Sequence, residues 1–157
     1  MLHAIQTPES YFEKTKVFLE NKPASHALAS YIKENIDIGI FIGKSCQCSY
    51  FRQGTVPKLE LRTPSSPDVI FHFKPEAIDS LLKTQGTELG TLVADVAKLY
   101  LAGLVRITLP GPIPLLLIRG YARVVKESRK QLLELLKDHG LDNLKFLSVI
   151  QRIKSQK

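Results

Sequence analysis

The sequence predicts an α+β protein, and three observations carry that expectation. Apolar residues recur at helical spacing toward both ends of the chain. Four short strand-like runs crowd together between residues 36 and 73. The stretch from Thr87 to Val125 passes from a helical stripe into a strand and, after a Pro-Gly turn, into a second apolar segment.

Taken in order, Thr7-Pro8-Glu9 opens a first helix, since proline is tolerated at its first position and glutamate favours the positive end of the dipole. Tyr11, Phe12, Val17 and Phe18 are its expected buried side. After Lys22-Pro23 a second helix is expected from Pro23 to about Asn35, with Ala27, Leu28, Tyr31 and Ile32 inward. Ile36, Ile38, Ile40 and Ile42 then alternate as a half-buried strand does. Gly43-Lys44-Ser45 reads as a hairpin turn, and Cys46, Cys48 and Tyr50 share a face of the next run, which ends at Gln53-Gly54. Leu59 and Leu61 mark a third run. Pro64-Ser65-Ser66-Pro67 is a loop, and Val69, Phe71 and Phe73 mark a fourth run with Ile70 and His72 opposite. The short spacings predict an antiparallel meander with one solvated face.

Pro75 starts a helix carrying Ala77, Ile78, Leu81 and Leu82. Leu89, Leu92, Val93, Val96 and Tyr100 form the apolar stripe of the next, with Thr87 as N-cap and Gly103 as the left-handed residue after its end. Val105, Ile107 and Leu109 alternate with Arg106 and Thr108 as a strand, which Pro110-Gly111-Pro112 stops. Beyond Pro114, the positions Leu115, Ile118, Ala122, Val125, Leu132 and Leu136 fit one long helix, kinked at Gly120, to about His139; a strand over 115–118 is the rival. Gly140 closes that helix. Asp142 caps a last one carrying Phe146, Val149, Ile150 and Ile153.

Length and composition fit one domain over residues 1–157. No run of eighteen uncharged apolar residues occurs, as a spanning helix needs, and no secretory leader or peroxisomal address is visible; a cytoplasmic protein is expected. The charge is uneven. Residues 1–97 hold 10 cationic and 11 anionic side chains, whereas residues 98–157 hold 12 and 4, so the basic excess is confined to the last third. Such a field suits an anionic membrane surface, nucleic acid or an acidic protein, or serves solubility alone. Aromatic interleaving in that third is poor, with only Tyr121 and Phe146 among the basic helices, which argues against a base-stacking surface and specific nucleic-acid recognition.

No nucleophile motif, phosphate-cradling loop or paired carboxylates occur, and the four histidines are scattered. A catalytic site, a metal site and a cofactor are therefore not expected. Cys46-Gln47-Cys48 places two thiols on one strand face, with His72 as the nearby further ligand candidate; two small buried apolar residues is the simpler reading. Asp95, opposite the apolar stripe, reads as solvated beside Lys98.

Two segments carry a family resemblance. The run DVIFHFKPEAIDSLL is similar to a polar-apolar strand followed by an Asp-x-Leu-x-x-Leu helix. The run LYLAGLVRITLPGPIPLLL is similar to a Phe-x-x-Gly-(Lys/Arg)-Leu-x-Ile-x-Gly-(Asn/Asp)-x-x-Leu-Ala segment, matched by Leu101, Gly103, Leu104, Val105, Ile107, Gly111, Leu115 and Leu116. Both patterns belong to the sterol carrier protein type-2 family, which the chain resembles over about residues 20–125. Pro110-Gly111-Pro112 replaces the family's usual turn, the basic residue after the glycine is missing, and the helices of residues 126–157 form an extension like that of bacterial single-domain members that hold lipid intermediates of ubiquinone synthesis.

The resemblance implies a five-stranded, mostly antiparallel sheet covered by helices around an apolar tunnel. It also implies noncatalytic binding and transfer of a hydrophobic lipid of the sterol, fatty acyl or isoprenoid/quinone type. Phe71, Phe73, Leu89, Leu92, Val93, Val96, Tyr100, Ile113, Leu116 and Leu117 are the residues expected to contact it. Arg129, Lys130, Lys145 and Arg152 are expected to meet an anionic membrane. The competing readings are an interaction protein with a filled core, docking a partner through its C-terminal helices, and a basic nucleic-acid-binding protein.

Overall fold

The computed structural model describes residues 8–140 together with Ile153 and Ser155. Five strands form one sheet in the order β3-β2-β1-β4-β5: β1 Ile38–Ile42, β2 Cys46–Gln53, β3 Val56–Glu60, β4 Val69–Phe73 and β5 Val105–Thr108. The protein is α+β, and three of the four strand pairs are antiparallel.

The meander expectation is corrected at one place. β4 does not pair with β3; it runs parallel to β1, with Ile40 opposite Phe71 and Ile42 opposite Phe73. The physical reason lies in the two strands themselves. Pro57 deprives β3 of a ladder donor, which suits an edge. β4 is apolar on both faces through Val69, Ile70, Phe71 and Phe73, which suits an interior position. The crossing loop is held by Asp37, whose carboxylate accepts bonds from the Arg62 guanidinium at 3.1 and 3.3 Å and from the Ser65 N–H at 3.0 Å.

One sheet face is the core. Ile38, Ile40 and Ile42 line up with Cys46, Cys48 and Tyr50, then with Leu59 on one side and Phe73 and Val105 on the other, and all are buried. Helices α1 Pro8–Asn21, α2 Pro23–Tyr31, α3 Pro75–Leu82 and α4 Leu89–Leu101 supply Phe18, Leu19, Ala24, Ala77, Ile78, Leu81 and Leu92 to the same cluster. Val17, expected inward, is 62% exposed, because Tyr11, Phe12, Thr15, Phe18 and Leu19 set the buried phase of α1 and Val17 falls off it. α2 ends at Tyr31 rather than near Asn35, since Ile32 is already extended (ψ 153°). Leu61 lies beyond β3 and is 46% exposed. Thr87 does not cap α4; Glu88 occupies that position, with no side-chain cap. At the other end Gly103 (φ +78°) follows the cap. The N–H of Gly103 donates to Tyr100 O at 3.0 Å and that of Leu104 to Leu99 O at 2.9 Å, the paired bonds of a Schellman turn.

Between β5 and residue 140 the chain is helical, which excludes a strand over 115–118. That described stretch forms three helices, not one: α5 Ile113–Ile118, α6 Tyr121–Glu127 and α7 Arg129–Asp138. Gly120 (φ +104°) breaks the first joint and resets the phase. The buried positions are accordingly Leu116, Val124, Leu132 and Leu136, whereas Ile118 and Ala122, expected in the inward series, face out. α7 packs on α4, where Gly90 abuts the Gln131 side chain. The proposed cap Asp142 and the apolar Phe146, Val149 and Ile150 lie outside the described residues, and Ile153 is helical and buried.

Two carboxylates tie the layers together. Glu20 of α1 accepts the Leu59 N–H of β3 at 2.9 Å and pairs with Lys16 at 2.5 Å. Burial works to raise the pKa of both Glu20 and Asp37. It is outweighed by the Lys16 and Leu59 bonds in the first case and the Arg62 and Ser65 bonds in the second, so both carboxyls stand below the usual range. Groups depressed on folding contribute stability above their unfolded values, about 3.9 and 4.3, and lose it as pH falls through the lower folded ones. Urea-unfolding midpoints should therefore be level from neutrality to about pH 5 and fall below about pH 4. The double variant Glu20→Gln/Asp37→Asn should start lower at neutrality and show a flatter acid limb; an unchanged limb would detach these two groups from acid stability.

Candidate functional site

The feature that distinguishes this core is a seam along its β5 side. α4 crosses β5, and the two present apolar side chains to each other over the sheet. Part of the seam is closed: Leu92 is 6% exposed, Phe73 5% and Val105 4%. The rest is only half-buried, namely Val96, Leu99 and Tyr100 on α4, Leu104 and Ile107 at and before β5, Phe71 on β4 and Tyr121 on α6. The register explains the division within the sheet: Phe73 pairs with Val105, and Phe71 with Ile107. The Phe71 and Phe73 rings are 6.2 Å apart at 30°. An apolar wall that stays half-accessible to solvent is what an aliphatic chain can cover, and its affinity would rise with chain length rather than with particular bonds.

Phe71, Phe73, Leu92, Val96 and Tyr100 thus meet in one cluster. Leu89 is buried and Val93 half-buried, but both lie outside that cluster, beside the Gly90–Gln131 contact with α7. Leu116 is buried and Ile113 half-buried on α5, again outside the cluster, and Leu117 is 48% exposed. Leu99, Leu104, Ile107 and Tyr121 are not among the ligand contacts expected from the sequence. The β5 alternation places Ile107 with Val105, but nothing local places either opposite Phe71 and Phe73.

Polar chemistry lies elsewhere. His72 is on the opposite sheet face: its ring meets Phe41 edge-on at 5.2 Å, Arg106 donates to Nδ1 at 3.3 Å, and Nε2 is 3.2 Å from Thr108 Oγ1. Burial and the Arg106 charge push its pKa down. It therefore cannot join the thiols, which face the core. Cys46 and Cys48 are buried and form no disulfide, with their sulfurs 3.6 Å apart, closer than strand rise alone would hold alternate side chains. The Cys46 contact, with burial, pushes the Cys48 thiol up. Among the described residues no three His, Cys, Asp or Glu side chains are grouped to hold a metal ion. Asp95 is half-buried rather than solvated; burial pushes its carboxyl up, against the pull of Lys98.

A cleft of about 390 Å³ opens beside Asn35, Asp37, Phe51, Arg52, Gln53 and Arg62, away from the seam. Its lining is mostly polar, and the Arg62–Asp37 pair crosses it, so it does not suit an aliphatic chain. Arg129 and Lys130 are exposed in the first turn of α7, where cations oppose the helix dipole by about 0.3–1 kcal/mol each. Lys145 and Arg152 lie outside the described residues. No helix among the described residues is long and apolar enough to cross a membrane.

No family model and no curated protein matches the chain. Among solved structures, one described as "UbiJ-SCP2 Ubiquinone synthesis protein" is similar over 77% of this chain and 94% of its own, with 11% identity and a TM-score of 0.44. The five-stranded, mostly antiparallel sheet with helices packed on it is the fold that the sterol carrier resemblance implies.

Proposed function

We infer that the chain is a noncatalytic carrier that binds a hydrophobic lipid of the sterol, fatty acyl or isoprenoid/quinone type along the seam between α4 and the β4–β5 side of the sheet. The observation that carries this reading is the half-buried apolar wall of Phe71, Val96, Tyr100 and Ile107, continuous with the closed Phe73, Leu92 and Val105. The sequence resemblance to sterol carrier proteins points to the same class of ligand. Transfer requires a visit to a bilayer, and the basic C-terminal third, with Arg129 and Lys130 exposed and Lys145 and Arg152 beyond, gives it affinity for anionic leaflets.

Native mass spectrometry of protein purified from cells tests the reading. The expected spectrum contains a lipid-bound species that is lost on delipidation and restored by adding a long-chain fatty acid. Protein that emerges bare and takes up no such lipid would leave the seam as the loose margin of a filled core, as an interaction protein would have.

A further inference from the structure

α5 is poorly accounted for by folding alone. Its six residues, Ile-Pro-Leu-Leu-Leu-Ile, contain no polar side chain, yet only Leu116 is buried. Leu117 is 48% exposed and Ile118 66%. Other exposed large apolar residues among those described, such as Val17 and Leu61, stand singly, which is ordinary for any protein surface. Two in succession on a wholly apolar helix mark a contact surface.

The neighbours of this wedge indicate what it contacts. The carbonyl of Arg119, next in the chain, accepts the Lys33 N–H at 3.3 Å, and Arg123 stands over the Tyr31 ring at 4.6 Å. Exposed Lys33 and Arg123 therefore flank the wedge from α2's end and from α6. Arg119 itself is paired with buried Asp68 at 3.2 Å. The nearby carboxylate of Glu34 accepts the Gly54 N–H at 2.9 Å, and between residues 119 and 130 Glu127 is the one acid. Exposed aliphatic side chains rimmed by exposed cations complement an anionic lipid leaflet: the apolar tips enter the boundary between headgroups and acyl chains while the cations meet phosphates.

We propose that α5 is the membrane anchor of this protein, with Leu117 and Ile118 inserting into an anionic phospholipid leaflet and Lys33 and Arg123 seating on its phosphates. The proposal extends the carrier reading by naming where the bilayer is met, and the surface binds vesicles whether or not the seam holds a lipid.

The test is sedimentation of the full chain with vesicles of phosphatidylcholine alone and with added phosphatidylglycerol. Wild-type protein should bind the anionic vesicles and not the neutral ones. Ile118→Glu, at an exposed position where the fold tolerates it, should weaken that binding by about tenfold or more, as should Lys33→Glu/Arg123→Glu. Tryptophan emission from Ile118→Trp should shift to the blue on anionic vesicles. Vesicle binding by Ile118→Glu equal to wild type, or no emission shift on bound Ile118→Trp, overturns the proposal. So does a self-association of the wild type that Ile118→Glu abolishes while vesicle binding is kept, since the wedge would then meet a second copy. Fatty-acid binding in solution should be unchanged in Ile118→Glu, so loss of the anchor and failure of the carrier reading are read separately.

Discussion

Gly120→Ala is expected to destabilise the protein by about 2–5 kcal/mol, more than substitution at the other left-handed glycines. Gly120 joins α5 to α6 at φ +104°, a region costly to any residue with a Cβ. The larger problem is contact. A Cβ there would overlap the carbonyl oxygen of Tyr31 and stand 2.9 Å from its carbonyl carbon and 3.1 Å from the Ile32 Cα, all backbone atoms that no rotamer change can move. The backbone term is about 1–2 kcal/mol and forced overpacking adds about 1–3. Gly103→Ala isolates the first term, because Gly103 has φ +78° and nothing within 4 Å of an added Cβ. Urea unfolding of both variants should place Gly120→Ala well below Gly103→Ala. Equal midpoints would mean that the α5–α6 joint is not docked on the end of α2, and the position assigned to the exposed wedge would fall with it.

That joint also marks where the sequence stopped being legible. Glycine at 120 was visible, and a kink there was expected, but its φ of +104° turns α6 by an amount no periodicity records. A phase carried across it put Ile118 and Ala122 inward, whereas Leu116 and Val124 are the buried pair. Within single elements the patterns were sufficient. Ile38, Ile40 and Ile42, then Cys46, Cys48 and Tyr50, alternate into the core because a period of two leaves no other choice once one face is covered.

Strand order was partly legible. Pro57 marks an edge and the two-faced apolarity of β4 marks an interior strand, and together they argue against pairing β3 with β4. Short connections outweighed those signals and gave a meander. The candidate site depended on the same non-local step: the α4 stripe was readable, but its division into a core-facing set at Leu92, Val96 and Tyr100 and a separate pair at Leu89 and Val93 required knowing that α7 packs beside it. Ile107 was readable as inward but not as the partner of Phe71.

The seam itself can be struck without striking the core. Leu92→Arg would bury an unpaired charge at a position 6% exposed, so loss of binding there would be inseparable from loss of fold. Val96 lies one turn further along α4 and is half-buried, so Val96→Asp should fold, with its carboxylate reaching solvent at the seam. A hydrated carboxylate there would exclude about three methylenes of a bound chain. At about 0.8 kcal/mol each that is about 2.4 kcal/mol, or about fiftyfold in affinity. Titration with a fluorescent long-chain fatty acid should show that loss in Val96→Asp and full affinity in Val17→Asp, which places the same charge on the exposed side of α1. The size of the loss should also grow with ligand length, since only chains long enough to pass Val96 meet the carboxylate. A folded Val96→Asp protein with wild-type affinity for every chain length would show that the lipid does not lie between α4 and the sheet.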